Sequence, residues 1–185
     1  KEYKLLDKNF PTIDPKKPYA LTKEEEDIME RLERAFENCE KLQRHMHFLL
    51  NKGGLYKVYN GNLLYHGCVP LKEDGNLKSV RIFGRAYKGK GLYEVLESYV
   101  RKGFYAMDSK EKERGKDIMW YIWLSENSPL FGKDKMATFE RYFLAEKETH
   151  KEVKNPYYDM LENEEVLDRI LREFGLEPEG AHIIN

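Results

Sequence analysis

The chain has 185 residues, and its 32 Lys and Arg residues nearly balance its 33 Asp and Glu residues, which leaves a net charge of −1. This balance argues against a nucleic-acid-binding protein that relies on bulk positive charge. No apolar run approaches the roughly 18 residues of a membrane span, and two cysteines cannot form a disulfide scaffold. We therefore expect a cytoplasmic protein with neither a nucleic-acid nor a membrane partner.

The first 21 residues contain three of the seven prolines. Proline fixes φ and has no N–H to donate, and the residue before it is disfavoured in a helix. We therefore predict that residues 1–21 form an extended arm and that residues 22–185 form a single α/β region.

A long amphipathic helix is predicted after the arm. Thr22 and Glu25 have the spacing of a capping box, in which each side chain accepts a hydrogen bond from the other residue's backbone N–H. Apolar residues then recur at steps of three and four from Ile28 to Leu49, which traces one face of a helix. The pattern predicts one helix of about 30 residues that ends at Gly53.

A β-hairpin is predicted next. Residues 55–59 alternate as a strand does, and Asn60-Gly61 is a typical hairpin-turn dipeptide. Residues 62–66 form a second strand that is apolar on both sides, so we expect it to be buried in a sheet. Residues 80–83 are predicted to form a further short strand.

The second half of the chain is predicted to be mainly helical. An apolar stripe from Leu92 to Val100 indicates a helix that Gly103 closes. Asp108 and Ser109 can cap another helix, which runs into residues 118–124, although that apolar run also fits a buried strand. The remaining predicted elements are a loop at 125–135, a short helix at 136–144, a helix that begins at Asn163 and ends at Gly175, and a strand at 181–184.

His66 is the first candidate for chemistry. It ends an apolar strand and precedes Gly67, and functional side chains in α/β sheets lie at the carboxyl ends of strands. A neutral imidazole there can bind a metal ion. The alternative is a hydrogen-bonded histidine at a strand end, and the residue pattern alone favours it, because no further ligands cluster around His66 in sequence.

The other histidines are weaker candidates. His45 and His47 are two positions apart in the predicted helix and therefore lie on nearly opposite faces. We expect them not to share a metal ion, which would need a spacing of four on a helix. His182 is expected to pack within the last strand.

The segment 133–154 is the most basic part of the chain, with Arg141, Lys133 and Lys151 among its cations. Interleaved acids nearly cancel this charge, so the default interpretation is a solvated helix face with ion pairs between residues four apart. The alternative is a group of cations that binds an anionic ligand such as a sugar phosphate. Arg141, Lys133 and Lys151 are the candidates for that role.

No sequence signature of a serine hydrolase, a P-loop, a C-x-x-C pair or an H-E-x-x-H zinc site occurs. The segment YKVYNGNLLYHGCVP at residues 56–70, however, resembles the class III fructose-1,6-bisphosphatases of Firmicutes, which belong to the calcineurin-like metallophosphoesterases. The resemblance continues in SPLFGK (128–133), MATFERYF (136–143), HKE (150–152), NPYY (155–158) and, upstream, EKLQRHM (40–46). These long and unusual strings make the resemblance specific, and they cover most of residues 21–185.

The resemblance implies part of a calcineurin-like fold with a dinuclear metal site, expected to hold Mn²⁺. It also implies hydrolysis of the 1-phosphate of fructose 1,6-bisphosphate, a small-molecule sugar bisphosphate, to fructose 6-phosphate and phosphate in gluconeogenesis. The superfamily takes one metal ligand from a strand that ends in His-Gly, so the resemblance makes His66 the expected ligand. The superfamily's other four ligand motifs do not occur in this chain. We therefore expect an internal fragment of a longer enzyme, inactive alone.

Two alternatives remain at this point. The parent protein could be a phosphoprotein phosphatase of the same superfamily, although the strings at residues 136–158 argue against it. The segment could also be a non-catalytic scaffold whose long helix mediates contacts in a homo-oligomer.

Overall fold

Two small sheets and six α-helices make up the fold in the computed structural model, which describes residues 1–185. The predicted mixed α/β class is confirmed. The strands are β1 (Tyr56–Tyr59), β2 (Asn62–Tyr65), β3 (Val80–Ile82), β4 (Arg85–Tyr87) and β5 (Ile183–Ile184). The helices are α1 (Lys23–Glu37), α2 (Glu40–Lys52), α3 (Gly89–Tyr105), α4 (Ser109–Leu124), α5 (Thr138–Phe143) and α6 (Glu164–Glu173), with 3₁₀ helices at Lys147–His150 and Pro156–Asp159.

The proline-containing arm has no helix and lies along α5. The backbone N–H of Leu6 donates to the carbonyl of Phe143 at 2.8 Å, and the Phe10 ring lies 5.6 Å from the Phe143 ring. Lys1 pairs with Glu148. None of the helices combines the length and the apolar composition that crossing a bilayer would require.

The prediction of one continuous N-terminal helix is wrong. The capping box at Thr22 and Glu25 is present and begins α1, and α2 ends at Gly53 as predicted. Between them, Cys39 adopts an extended backbone that separates the two helices. The side-chain amide of Asn38 donates to the carbonyl of Arg34 at 2.7 Å, and such local bonds compete with continued helix.

The apolar face of α1 is exposed. No residue of this helix is buried, and Ile28 and Leu32 expose 48% and 50% of their surface. The periodicity therefore predicted the helix correctly, but the face that it marks contacts no core in this chain.

The predicted hairpin is confirmed and forms two strands of a three-stranded sheet ordered β1-β2-β5. Asn60 and Gly61 both have positive φ, as the expected turn requires. β2 also pairs in parallel with β5, with Leu63 opposite Ile183. Because parallel strands end at the same edge of a sheet, the residues that follow β2 and β5 come together. β3 pairs with β4, which the sequence did not predict.

Gly103 does not close α3, contrary to the prediction. The helix continues to Tyr105, and the run 118–124 lies in α4 rather than in a strand. A Cβ built on Gly115 would lie 2.2 Å from the Cα of Gly103. The two glycines are therefore needed where the backbones of α3 and α4 touch.

Two cores hold these elements together, and α3 contributes to both. The smaller core of six buried residues joins β3, α3 and α4. The larger core joins β2, α3 and α6 and leads directly to the end of β2. Its eleven buried residues are Leu63, Tyr65, Cys68, Val69, Leu71, Tyr93, Tyr157, Val166, Ile170, Leu171 and Phe174.

Candidate metal and phosphate site

Gly67 fixes the backbone turn that follows His66. Its φ is +92°, and a Cβ built there would lie 2.1 Å from the carbonyl oxygen of Pro129. The next N–H, of Cys68, donates to that same carbonyl at 2.7 Å. Only glycine fits this close approach with a left-handed backbone. The imidazole of His66, immediately before the turn, is exposed to solvent.

A chain of hydrogen bonds supports the turn from inside. The Tyr65 and Tyr157 hydroxyls lie 2.6 Å apart within the larger core. The side-chain amide of Asn185, just after β5, donates to the Tyr157 hydroxyl at 3.0 Å and to the Gly67 carbonyl at 2.7 Å. The Tyr93 hydroxyl donates to the carbonyl of Cys68 at 2.9 Å. The backbone around His66 is therefore held on both sides.

The buried groups beneath the turn stay neutral. Burial, with a further contribution from the Tyr157 hydroxyl, raises the pKa of Tyr65 well above its usual range. Burial also raises the pKa of the Cys68 thiol to about 12. Cys68 is also completely buried within the larger core. Of the side chains at this turn, the His66 imidazole is the one that solvent and a ligand can reach.

His66 opens into a cavity of about 310 Å³ that is also lined by Phe131, Lys133, Lys154, Tyr158 and Asn185. A larger cavity of about 890 Å³ runs between β1 and α3. Its lining includes neither histidine nor cysteine. The smaller cavity is the one that combines a histidine with cations and contains no carboxylate side chain, whereas Glu94 and Glu97 stand among the cations of the larger one.

The residues of this chain do not make a complete metal site. No group of three or more His, Cys, Asp or Glu side chains is placed to hold an ion anywhere in the structure. A dinuclear Mn²⁺ site needs several ligands for each ion, and His66 is one candidate ligand only. The His47 ring packs edge-on against Phe104, with the ring centroids 5.1 Å apart. His182 lies 3.3 Å from the side chain of Asn62.

Two of the predicted phosphate-binding cations meet on one carboxylate. The ammonium of Lys133 donates to Glu152 at 2.7 Å, and the guanidinium of Arg141 lies 3.3 Å from its other oxygen. Glu152 also accepts the backbone N–H of Ala137 at 2.8 Å. Lys133, the Ala137 N–H and Arg141 together lower the pKa of Glu152 to about 2. The carboxylate that pairs with Arg141 is therefore Glu152, which follows α5 in the chain. It is not an acid four residues away on the same helix.

The three candidate cations differ in their relation to His66. Lys133 lines the His66 cavity, whereas Arg141 and Lys151 do not. Lys151 is exposed and makes no ion pair in the structure. The structure adds Lys154, which lines the cavity but was not among the candidates. Lys154 reaches the cavity because it lies opposite Lys133 in an antiparallel bridge. The sequence alone does not reveal this pairing.

Comparison with known proteins identifies the family. A family model described as Firmicute fructose-1,6-bisphosphatase matches residues 1–185. Proteins named fructose-1,6-bisphosphatase class 3 from Listeria innocua, Clostridioides difficile and Clostridium tetani are 51%, 54% and 51% identical to the chain. These matches cover 99–100% of the chain, which spans only 28% of the length of each relative. No solved structure matches it. The chain belongs to the Firmicute fructose-1,6-bisphosphatase family.

Proposed function

We propose that the chain is a segment of a class 3 fructose-1,6-bisphosphatase. The whole protein would hydrolyse the 1-phosphate of D-fructose 1,6-bisphosphate to give fructose 6-phosphate and inorganic phosphate. The observation that carries the proposal is the 51–54% identity to enzymes of that name along essentially the whole chain. The cavity beside His66, with its two lysines, supports it, because a sugar bisphosphate is an anionic substrate.

We propose that His66 donates one ligand to a dinuclear Mn²⁺ site within a calcineurin-like fold. The further ligands would come from parts of the whole protein outside these 185 residues. When bound, such a metal pair supplies an activated hydroxide and polarises the phosphoryl oxygens. The residues of this chain hold the ligand in place: Gly67 sets the turn, and Asn185 fixes the Gly67 carbonyl.

A cytoplasmic location is part of the proposal. Cys39 and Cys68 are unpaired thiols, one exposed and one buried. Unpaired cysteines are compatible with a reducing compartment. This compartment also fits an enzyme that acts on a phosphorylated sugar.

The proposal is tested by assaying the whole protein with Mn²⁺ on fructose 1,6-bisphosphate and on a phosphoserine peptide. We expect hydrolysis of the sugar bisphosphate and little release of phosphate from the peptide. The reverse preference would favour a phosphoprotein phosphatase. The 185-residue chain is assayed in parallel and is expected to be inactive, because a single imidazole cannot hold two divalent ions.

A further inference from the structure

Lys133 and Lys154 are direct neighbours across a short antiparallel bridge. The bridge is held by the N–H of Asp134, which donates to the Val153 carbonyl at 2.9 Å, and by the N–H of Asn155, which donates to Gly132 at 2.9 Å. Residues directly opposite each other in an antiparallel pair place their side chains on the same face. Both lysines accordingly line the cavity that contains His66.

The two lysines differ in whether a carboxylate pairs with their ammonium group. Lys133 is paired with Glu152 at 2.7 Å. Lys154 has no carboxylate partner; its ammonium lies over the Tyr158 ring, 5.2 Å from the ring centroid. Like charges directly opposite each other in a sheet destabilise the pair. No Asp or Glu lines this cavity, so Lys154 adds a positive charge without a carboxylate partner to the cavity that the His66 imidazole also lines.

We propose that Lys154 binds a phosphate group of the substrate in the His66 cavity. This assignment rests on the proposed function and adds a residue to its site. A phosphate monoester carries nearly two negative charges at neutral pH, and an ammonium offers three donors as a compact point charge. Lys133 faces the same space, but Glu152 already holds its ammonium. Lys154 is therefore the principal phosphate ligand that this chain supplies.

The test uses the whole protein with Mn²⁺ and the variant Lys154→Gln. We expect the KM for fructose 1,6-bisphosphate and the inhibition constant of inorganic phosphate each to rise about 10- to 100-fold, as expected for losing a hydrogen bond to a charged group. The turnover number should change little, because a contact made equally in the ground and transition states affects KM alone. Lys154→Arg should restore most of the phosphate affinity.

Lys147→Gln is the matched control, because Lys147 is an exposed lysine of the same basic segment that does not line the cavity. Its KM and its phosphate inhibition constant should equal those of the wild type. Unchanged constants in a folded Lys154→Gln variant would overturn the proposal. A lower melting temperature with unchanged constants would likewise overturn it and assign Lys154 to packing on Tyr158.

A second measurement needs no variant. In the wild-type protein, inorganic phosphate should slow the acetylation of Lys154 by acetic anhydride, followed by mass spectrometry, but not that of Lys147. Equal rates with and without phosphate would contradict the proposal. Failure of the proposed function is distinguishable: the protein would then not hydrolyse fructose 1,6-bisphosphate, yet phosphate would still protect Lys154. Hydrolysis of fructose 1,6-bisphosphate without any protection of Lys154 by phosphate would support the proposed function and would exclude Lys154 as a phosphate ligand.

Discussion

The side-chain amide of Asn185 donates a hydrogen bond of 2.7 Å to the carbonyl of Gly67, 118 positions earlier in the chain. The bond joins the residues that follow the parallel strands β2 and β5. The position of His66 therefore depends on the register of β5, although the two segments are far apart in sequence. A site built in this way is sensitive to contacts on both strands.

Replacement of His66 by alanine should reduce the activity of the whole protein about a hundredfold or more. Loss of a metal ligand should exceed the 10- to 100-fold effect that is typical of residues which only orient a ligand. Manganese content should fall together with kcat/KM, and both are measured on the purified variant. His182→Ala is the control, since the His182 side chain is exposed and its one hydrogen-bond partner is the side chain of Asn62. Normal metal content and activity in His66→Ala would restore the interpretation of His66 as a structural histidine.

Gly67→Ala should destabilise the protein far more than Gly61→Ala. Both glycines have positive φ, +92° and +76°, so both alanines are strained by about 1 kcal/mol or more. Only at Gly67 would the new Cβ also collide with a backbone atom, the carbonyl oxygen of Pro129 at 2.1 Å; nothing lies within 4 Å at Gly61. Melting temperatures by circular dichroism give the comparison, and equal losses in the two variants would rule out the steric argument.

Arg141→Lys should leave the KM for fructose 1,6-bisphosphate unchanged. The guanidinium is already placed against Glu152, and it does not line the cavity of His66. The structure thus favours the ion-pair interpretation over phosphate binding, in which an ammonium could not replace the two-pronged guanidinium contact. Steady-state kinetics of the folded variant decide the matter. A rise in KM at constant turnover would establish Arg141 as a phosphate ligand.

The ion pairs of Glu152 with Lys133 and Arg141 should make the free energy of unfolding depend on pH. Its pKa lies at about 2 in the folded protein against an ordinary value of 4.5. A depressed carboxylate pKa stabilises the fold fully above the unfolded value, and this stabilisation is lost as the pH falls through the folded value. The difference in melting temperature between wild type and Glu152→Gln should therefore be largest above pH 5 and should shrink towards pH 2.

Glu126→Gln is the control for this titration, because Glu126 is more exposed and lies 3.7 Å from Lys78. Exposed pairs of this kind contribute little, so the control should track the wild type at every pH. A Glu152→Gln difference that stays constant from pH 7 to pH 2 would show that the ion contacts of Glu152 do not stabilise the fold.

The sequence predicted well those features that depend on neighbouring residues. The Asn60-Gly61 hairpin and the capping box at Thr22 follow from local geometry, and both are present. The break at Cys39 was missed because the apolar period continues through it, whereas the local hydrogen bond of Asn38 interrupts the helix. Gly103 was misinterpreted because a glycine that permits close helix packing looks the same in sequence as one that ends a helix.

The candidate site was predicted only in part. His66 could be found from the strand that precedes it and from the family resemblance. Lys154 could not, because its place beside Lys133 depends on an antiparallel bridge between loops. Asn185 was missed for the same reason, since it reaches Gly67 only after β5 has paired with β2. Non-local pairing of this kind leaves no periodic pattern in the sequence.

The Tyr157 hydroxyl has two hydrogen-bond partners, Tyr65 and Asn185, whereas the Tyr65 hydroxyl has one. Loss of a hydroxyl should therefore change the stability of the protein by different amounts at the two tyrosines. Tyr65→Phe would leave the Tyr157 hydroxyl with Asn185 as its partner. Tyr157→Phe would leave the buried Tyr65 hydroxyl without a partner, because its one hydrogen bond is to Tyr157. An unsatisfied buried hydroxyl costs about 1–3 kcal/mol. Removal of one hydroxyl oxygen should therefore lower the free energy of unfolding less in Tyr65→Phe, on β2, than in Tyr157→Phe, on the 3₁₀ helix.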